Sequence, residues 1–474
     1  MLKFLFLHLV PRYNVKDYEQ RSNMDLTHRW KAVICMALTG ILCLSGCSAS
    51  QATPTVLKLD KETDAAWNNW GLTPDFSYEV KVSTPGIIVD QQGYATNGGK
   101  TAILEGKRIP DTFSIIDRDS TEVVYTGTIQ KKENQNAYAL FSDFTTPGTY
   151  RLQCMYLGQS YDFSIQDDLY TSLLEEALHE MADCRTDKQG ILLSDAQKSV
   201  QESCCFLAKL LQAYELYGES ILACEDGGQF LTLLGSEVQW LLTMQDASGV
   251  VYAGEDENEA VEDTEETLRR TAFYSAVMAK FGYAYRNEDN TFATICLKAS
   301  DRAWKYVIGN KLDSEAEELF FAATELYRAT GVAAYQKYIK KFAEGGLPDA
   351  DHMDDITFWG AVTYLCTRKG ADKTICTSLM KTISTMGEQI ALDARDGTYL
   401  TASEEPEKIL DDMEIIAVMN HIITNHEYAT VLENHLHYLL GRNTENQDLR
   451  QEIYHAPREM AGYIQLLAAV IATQ

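Results

Sequence analysis

Basic residues are scarce in this chain: 41 Lys and Arg stand against 69 Asp and Glu in 474 residues, a net charge of -28. A surface that acidic repels phosphate backbones, which excludes nucleic acid as a partner and disfavours anionic lipid as a ligand of the protein body. Paired Cys-x-x-Cys spacings are missing, so no zinc site is expected. EF-hand spacing is missing as well. No fixed period repeats along the chain, which argues against a stacked solenoid. Beyond residue 46 no apolar run approaches a membrane span. The remainder is ordinary globular composition, 45% hydrophobic and 23% charged, which excludes long disordered or collagenous segments. At roughly 100–200 residues per domain, two or three domains are expected. No metal or cofactor is called for, and uncharged sugars remain open as partners.

The N-terminal region reads as a targeting signal. Arg29 and Lys31 precede an apolar run, Ala32 to Leu44, that closes on Ser45-Gly46-Cys47. The run is shorter than the ~20 residues a membrane span needs. With a cysteine directly after Leu-Ser-Gly, it is similar to a bacterial lipoprotein signal, which implies cleavage before Cys47 and lipidation of its thiol. Met24 lies at a normal distance before this signal and is read as an alternative start. The expected division is a signal segment over 1–46 and a tether over 47–84. The protein is then expected outside the cytoplasm, touching the membrane through its lipid anchor only. Of the eight cysteines beyond Cys47, most sit in apolar helical contexts and read as buried free thiols, although disulfides are permitted there.

From Gly86 the pattern is of short strands. Gly86–Asp90, Lys100–Leu104, Thr112–Ile116, Glu122–Tyr125, Ala137–Phe141, Gly148–Met155 and Tyr161–Ile165 are separated by turn signals such as Asn97-Gly98-Gly99. About seven strands in some 80 residues predict an antiparallel sandwich over 85–167. After Leu169 the period becomes 3.6, as in Leu173, Leu174, Ala177, Leu178 and Met181. About twelve helices with short links follow, with Gly218, Gly331 and Gly441 as expected stops. An even, large set of antiparallel helices predicts an all-α (α/α)6 barrel over 168–474.

Several motifs sharpen this reading. Ile88-Val89-Asp90-Gln91-Gln92-Gly93-Tyr94, with Asp143-Phe144 and Pro147-Gly148-Thr149-Tyr150, resembles the immunoglobulin-like domain that precedes family 9 glycoside hydrolase domains. Glu237 to Tyr252, Phe321 to Gly331, and His435 to Asn443 (containing Tyr-Leu-Leu-Gly-Arg-Asn) resemble segments of the family's catalytic domain, in the family's order. The resemblance spans about residues 85 to 474. It implies an immunoglobulin-like sandwich followed by an (α/α)6 barrel, and inverting hydrolysis of β-1,4-glucan in polysaccharide breakdown.

The expected chemistry departs from that pattern. Inverting hydrolysis needs one carboxyl group to protonate the leaving oxygen and another to take a proton from water, about 6.5–9.5 Å away. The resemblance places the family's base motif, Asp-Ala-Gly-Asp-Tyr, on Ser194 to Ser199: its first Asp is Asp195, and its base falls on Lys198. A protonated ammonium accepts no proton, and Asp195 favours that charged form. The general acid corresponds to Glu452, whose spacing to Ala456 is short, or to Glu459 inside the last helix; either also fits a solvated helix-start carboxylate. The family's glycine-rich segment and Pro-His-His-Arg motif are missing after Asn443.

Trp359 and Tyr399, near helix ends, are expected as sugar-stacking platforms, and Trp304 as core. His435 and His437 are expected as packed or surface residues rather than metal ligands. Glu255 to Glu266, eight acidic residues in twelve, reads as a solvated loop. The expectation is therefore a cellulase-like protein whose partner is β-glucan or a related polysaccharide, with turnover put in question by Lys198. The alternative is a non-catalytic glucan-binding or exopolysaccharide-assembly protein.

Overall fold

The computed structural model describes residues 85–132, 136–193, 198–254 and 264–474. The signal segment, Cys47, the tether, Asp195 and most of the acidic run therefore lie outside the described residues.

The first layer pair is built from β1 (Ile87–Ile88), β2 (Tyr94–Ala95), β3 (Thr101–Leu104), β4 (Thr112–Asp117), β5 (Val123–Lys131), β6 (Ala137–Leu140), β7 (Gly148–Cys154), β8 (Gly158–Gln159) and β9 (Phe163–Gln166). The strand order is β1-β3-β6-β5-β4-β7-β9-β2, with β8 added to β7. All pairings are antiparallel except β2 with β9. The two extra strands beyond the expected seven, β2 and β8, are two residues each, too short to show a period. β5 joins the layers: its first half pairs with β4, while Ile129 to Lys131 pair with β6.

Alternation explains why β3 is buried at every position. Ala102 and Leu104 point into the sandwich core with Phe113, Ile115 and Phe163. Ile103, on the opposite face, joins Ile88 and Tyr138 in the core of the helical domain. A strand with both faces covered has lost its polar face to a neighbour.

That neighbour consists of α1 (Leu169–Asp183), α2 (Val200–Ala223), α3 (Phe230–Thr243), α4 (Glu265–Tyr285), α5 (Asn290–Gly309), α6 (Glu317–Thr330), α7 (Gln336–Gly346), α8 (Asp355–Cys366), α9 (Lys373–Asp396), α10 (Pro406–Ile422), α11 (His426–Leu439), α12 (Arg450–Tyr454) and α13 (Pro457–Ile471). A two-stranded hairpin, β10 (Arg185–Thr186) with β11 (Gly190–Ile191), follows α1. Burial sorts the long helices into two rings. α5 and α9 bury one stripe, for instance Ile375, Leu379, Ile383 and Ile390, and belong outside. α4, α6, α8 and α13 are buried nearly all round and belong inside. With α2 and α10 they form the inner six of an (α/α)6 barrel, as expected.

Caps in the sequence start the inner helices. Ser199 accepts from Glu202 N, Thr264 from Thr267 N and Asp354 from Thr357 N, while Pro406 and Pro457 open α10 and α13. Gly331 ends α6 in the left-handed conformation, φ 71°. Gly218 does not end α2: the helix kinks at Tyr217 and continues to Ala223, because packing of Ser220 and Ile221 outweighs the glycine. Among the described residues no helix is long and apolar enough to cross a membrane, and the eight cysteines form no disulfide.

Candidate active site at the barrel mouth

Glu202, Lys209, Gln212 and Glu215 recur on one face of α2, at the spacing that keeps side chains in register. They supply one side of a polar ladder inside the barrel. At the floor, near the C-terminal ends of the inner helices, Lys280 Nζ donates to Glu215 (2.9 Å) and Glu325 (3.1 Å), and Arg328 bridges the same two carboxylates. One level up, Glu414 accepts from Lys209 Nζ (2.9 Å), Gln212 Nε2 (2.8 Å) and Trp359 Nε1 (2.7 Å). Burial lifts the Glu414 carboxyl, and the Lys209 charge opposes that.

The N-terminal ends of the inner helices form the mouth. Arg458, second residue of α13, donates to Asp355, first residue of α8, and to Asp411 of α10 (2.8 Å). Lys209 holds the other oxygen of Asp411 at 2.9 Å. Arg269 of α4 reaches Glu317 and Glu318 at the start of α6. Glu202 and Glu459 stand in the first turns of α2 and α13, which pack directly on one another. Burial raises the Glu202 carboxyl, the charge of Glu459 raises it further, and Lys198 pulls the other way. Beside Glu202 lies a pocket of about 20 Å³, walled by Leu193, Lys198, Phe206, Glu237 and Pro457. That volume admits one water.

Lys198 does not stand over the mouth as a bare cation. Its Nζ donates to Glu237 Oε2 (2.5 Å), Ile191 O (3.0 Å) and Gln189 O (2.5 Å), and lies 4.5 Å from the centre of the Trp240 ring. Glu237 Oε2 also accepts Ile191 N–H at 2.8 Å. The ammonium thus pins the β10–β11 hairpin and the entry to α2 against the outer helix α3. The lysine expected at the base position therefore carries a charge that is paired with Glu237. Lys198→Asp is accordingly expected to set two carboxylates against each other at the buried Glu237, costing about 3–5 kcal/mol in urea unfolding without raising hydrolysis. Unchanged stability would remove this structural role.

The sequence itself decides the lineage. Residues 194–449 match the family described as Glycosyl hydrolase family 9. The chain belongs to glycosyl hydrolase family 9. Residues 82–159 match the cellulase N-terminal ig-like domain, over the sandwich. Solved structures share the fold. A metagenome-derived glycoside hydrolase family 9 endoglucanase is similar at TM-score 0.67 and 19% identity, covering 82% of this chain and 99% of its own. A thermostable endoglucanase from Alicyclobacillus acidocaldarius is similar at TM-score 0.64 and 19% identity, covering 77% of this chain and 83% of its own. Bacteroides ovatus GH9 is similar at TM-score 0.64 and 17% identity, covering 82% and 99%. No curated protein matches the chain by sequence.

Two expected platforms of this family 9 barrel are buried instead. Trp359 is 1% exposed, stacked on Phe273 at 5.9 Å, with its N–H held by Glu414. Tyr399 is 4% exposed; its hydroxyl donates to Glu105 of the sandwich (2.8 Å) and its ring meets Tyr438 edge-on. Neither has a face left for a sugar. Trp304 is core, as expected, against Tyr335 and Tyr338. Glu452 lies exposed on the short α12, and its carboxylate makes no hydrogen bond among the described residues; Glu459 stands in the first turn of α13, which packs on the helix that carries Glu202. His435 and His437 are packed, as expected: His435 Nδ1 donates to Val431 O, its Nε2 accepts Ala402 N–H, and burial lowers it to about 4. The residues that sequence reasoning missed are Glu202, Lys209, Glu414 and Arg458. A polar stripe inside an apolar helix, Lys209-Gln212-Glu215, was the visible signal for Lys209 alone.

Proposed function

We propose that this family 9 protein is an extracytoplasmic glycosidase, tethered to the membrane by lipid on Cys47, that cleaves a β-linked glucan or related polysaccharide at the barrel mouth with inversion. The observation that supports it is that Glu202 and Glu459 stand in the first turns of two inner helices, α2 and α13, that pack on one another at the mouth of a family 9 barrel. Inverting hydrolysis asks one carboxyl to protonate the departing glycosidic oxygen and another to take a proton from water. Glu459 serves as the acid in this reading, and Asp195 orients the attacking water.

A second reading, glucan binding without cleavage, is favoured by a different observation. Asp355 and Asp411 are tied down by Arg458 and Lys209, and all three described tryptophans are buried. Reducing-sugar release from soluble β-glucans separates the two. Hydrolysis predicts release that Asp195→Asn lowers by about 10²-fold or more. Cello-oligosaccharide binding at millimolar ligand without release selects the second reading. Neither binding nor release removes both.

A further inference from the structure

Glu202 is placed for more than capping. Ser199-Val200-Gln201-Glu202 has the spacing of a capping box, and Ser199 Oγ accepts Glu202 N–H at 3.1 Å. The reciprocal bond, from Ser199 N–H to the Glu202 carboxylate, is not among the hydrogen bonds of the described residues. The carboxylate instead lines the water-sized pocket, whose far wall is the Lys198–Glu237 ion pair. Lys198 is engaged there by two carbonyls as well as by Glu237. Pro457, which opens α13 two residues before Glu459, completes the lining. The Glu202 carboxylate thus lines a water-sized recess in the first turn of α2, and Glu459 stands in the first turn of α13, the helix packed on it. Partial burial and the Glu459 charge both make Glu202 a stronger proton acceptor than an exposed glutamate.

We infer that Glu202 is the proton acceptor for the attacking water. The step rests on the hydrolytic reading above. A water held in the recess gives its proton to Glu202, and its oxygen bonds to the anomeric carbon as the bond from that carbon to the glycosidic oxygen breaks. The departing oxygen takes its proton from Glu459, and the released sugar carries the inverted configuration. Proton exchange with solvent then returns Glu202 to carboxylate and Glu459 to acid, so no co-reactant beyond water is consumed.

Chemical rescue tests the assignment. Glu202→Ala is expected to lower reducing-sugar release from soluble β-glucan by about 10²-fold or more, with Glu202→Asp retaining part of it. Added sodium azide, a nucleophile that needs no base, is expected to restore turnover in Glu202→Ala and to yield a glycosyl azide of inverted configuration by NMR. Glu202→Gln, unfolding at the wild-type urea midpoint, controls for the fold. Release by Glu202→Ala within about threefold of wild type overturns the assignment. So does loss without azide rescue, or rescue that appears in Asp195→Ala instead. If wild-type protein releases no sugar, the hydrolytic reading falls together with Glu202's role; if it does and Glu202→Ala matches it, only Glu202's role falls.

Discussion

Glu325→Leu is expected to destabilise the barrel by about 3–5 kcal/mol, among the larger single-site losses available in this chain. Glu325 is fully buried and accepts from Lys280, Arg328 and Thr363 Oγ1 (2.6 Å). Together with Glu215 it balances two cations with two carboxylates in the barrel floor. Burial alone would raise the Glu215 carboxyl, yet Arg328 and Lys280 hold it down to about 2. Removing Glu325 leaves two buried cations facing one carboxylate, so the loss is the cost of an uncompensated charge more than of three hydrogen bonds. The companion Lys280→Met/Glu325→Leu restores neutrality around the Glu215–Arg328 pair. It is expected to be more stable than Glu325→Leu, and a urea midpoint for the double variant equal to the sum of two independent losses would refute the coupling.

Much of the fold was legible because periodicity reports burial directly. The 3.6-residue stripe of Leu173, Leu174, Ala177, Leu178 and Met181 is the buried face of α1, and the glycine at position 331 ends α6 where it should. What local pattern does not carry is which helix is inner. α8 reads as one more apolar helix, yet its all-round burial is what puts Trp359 against the axis. An aromatic near a helix end is equally consistent with a platform and with a plug, and the answer depends on Glu414, 55 residues later.

Tyr399 fails for the same reason at longer range. Its partner, Glu105, lies 294 residues earlier in the sandwich, and only the packing of β3 and β6 against the barrel brings them together. The family motifs are explained by that seam too. Gln91 N–H donates to Leu440 O (2.9 Å), Gln92 bonds Asp448, and Gly441, at φ 120°, lets the Gln91 side chain lie against its backbone. The segments Ile88–Tyr94 and His435–Asn443 therefore fit one another; they hold the two modules in register and do not mark a sugar site. Lys198 shows the limit from the other side: its place in the sequence suggests a replaced base, and its hydrogen bonds go to Glu237 on the outer helix and to the carbonyls of Gln189 and Ile191.

The same seam carries the second large expectation, a loss of stability above pH 6.5 that Asp90→Asn abolishes. Asp90 Oδ1 accepts the N–H groups of Gln92 and Gly93, both at 2.8 Å, and Oδ2 lies 2.7 Å from His437 Nδ1. His437 Nε2 faces Gly99 O at 3.2 Å, a group that can only accept, so Nε2 carries its hydrogen. The Asp90–His437 contact then holds one further proton, whichever partner it sits on. Burial raises Asp90 well above 3.8, with Asp448 adding to it and the Gly93 and Gln92 bonds and Arg442 opposing. Burial lowers His437 to about 3, with Arg442 and Lys100 adding and Glu433 opposing.

Taken singly, the raised Asp90 favours the fold less as pH climbs above 3.8. The depressed His437 favours it more as pH climbs from about 3 to its ordinary 6.5. Between 3.8 and 6.5 the folded and unfolded pairs each hold one proton, and the slopes cancel. Above 6.5 the unfolded histidine releases its proton while the folded pair keeps one, so stability falls by about 1.4 kcal/mol per pH unit until the pair ionises. Asn at position 90 donates the same hydrogen bond permanently. Urea unfolding at several pH values from 6.5 upward should therefore show the Asp90→Asn variant gaining on wild type by that slope. A difference that stays level with pH would mean that His437 donates through Nδ1 to an ionised Asp90, leaving an imidazole lone pair against Gly99 O.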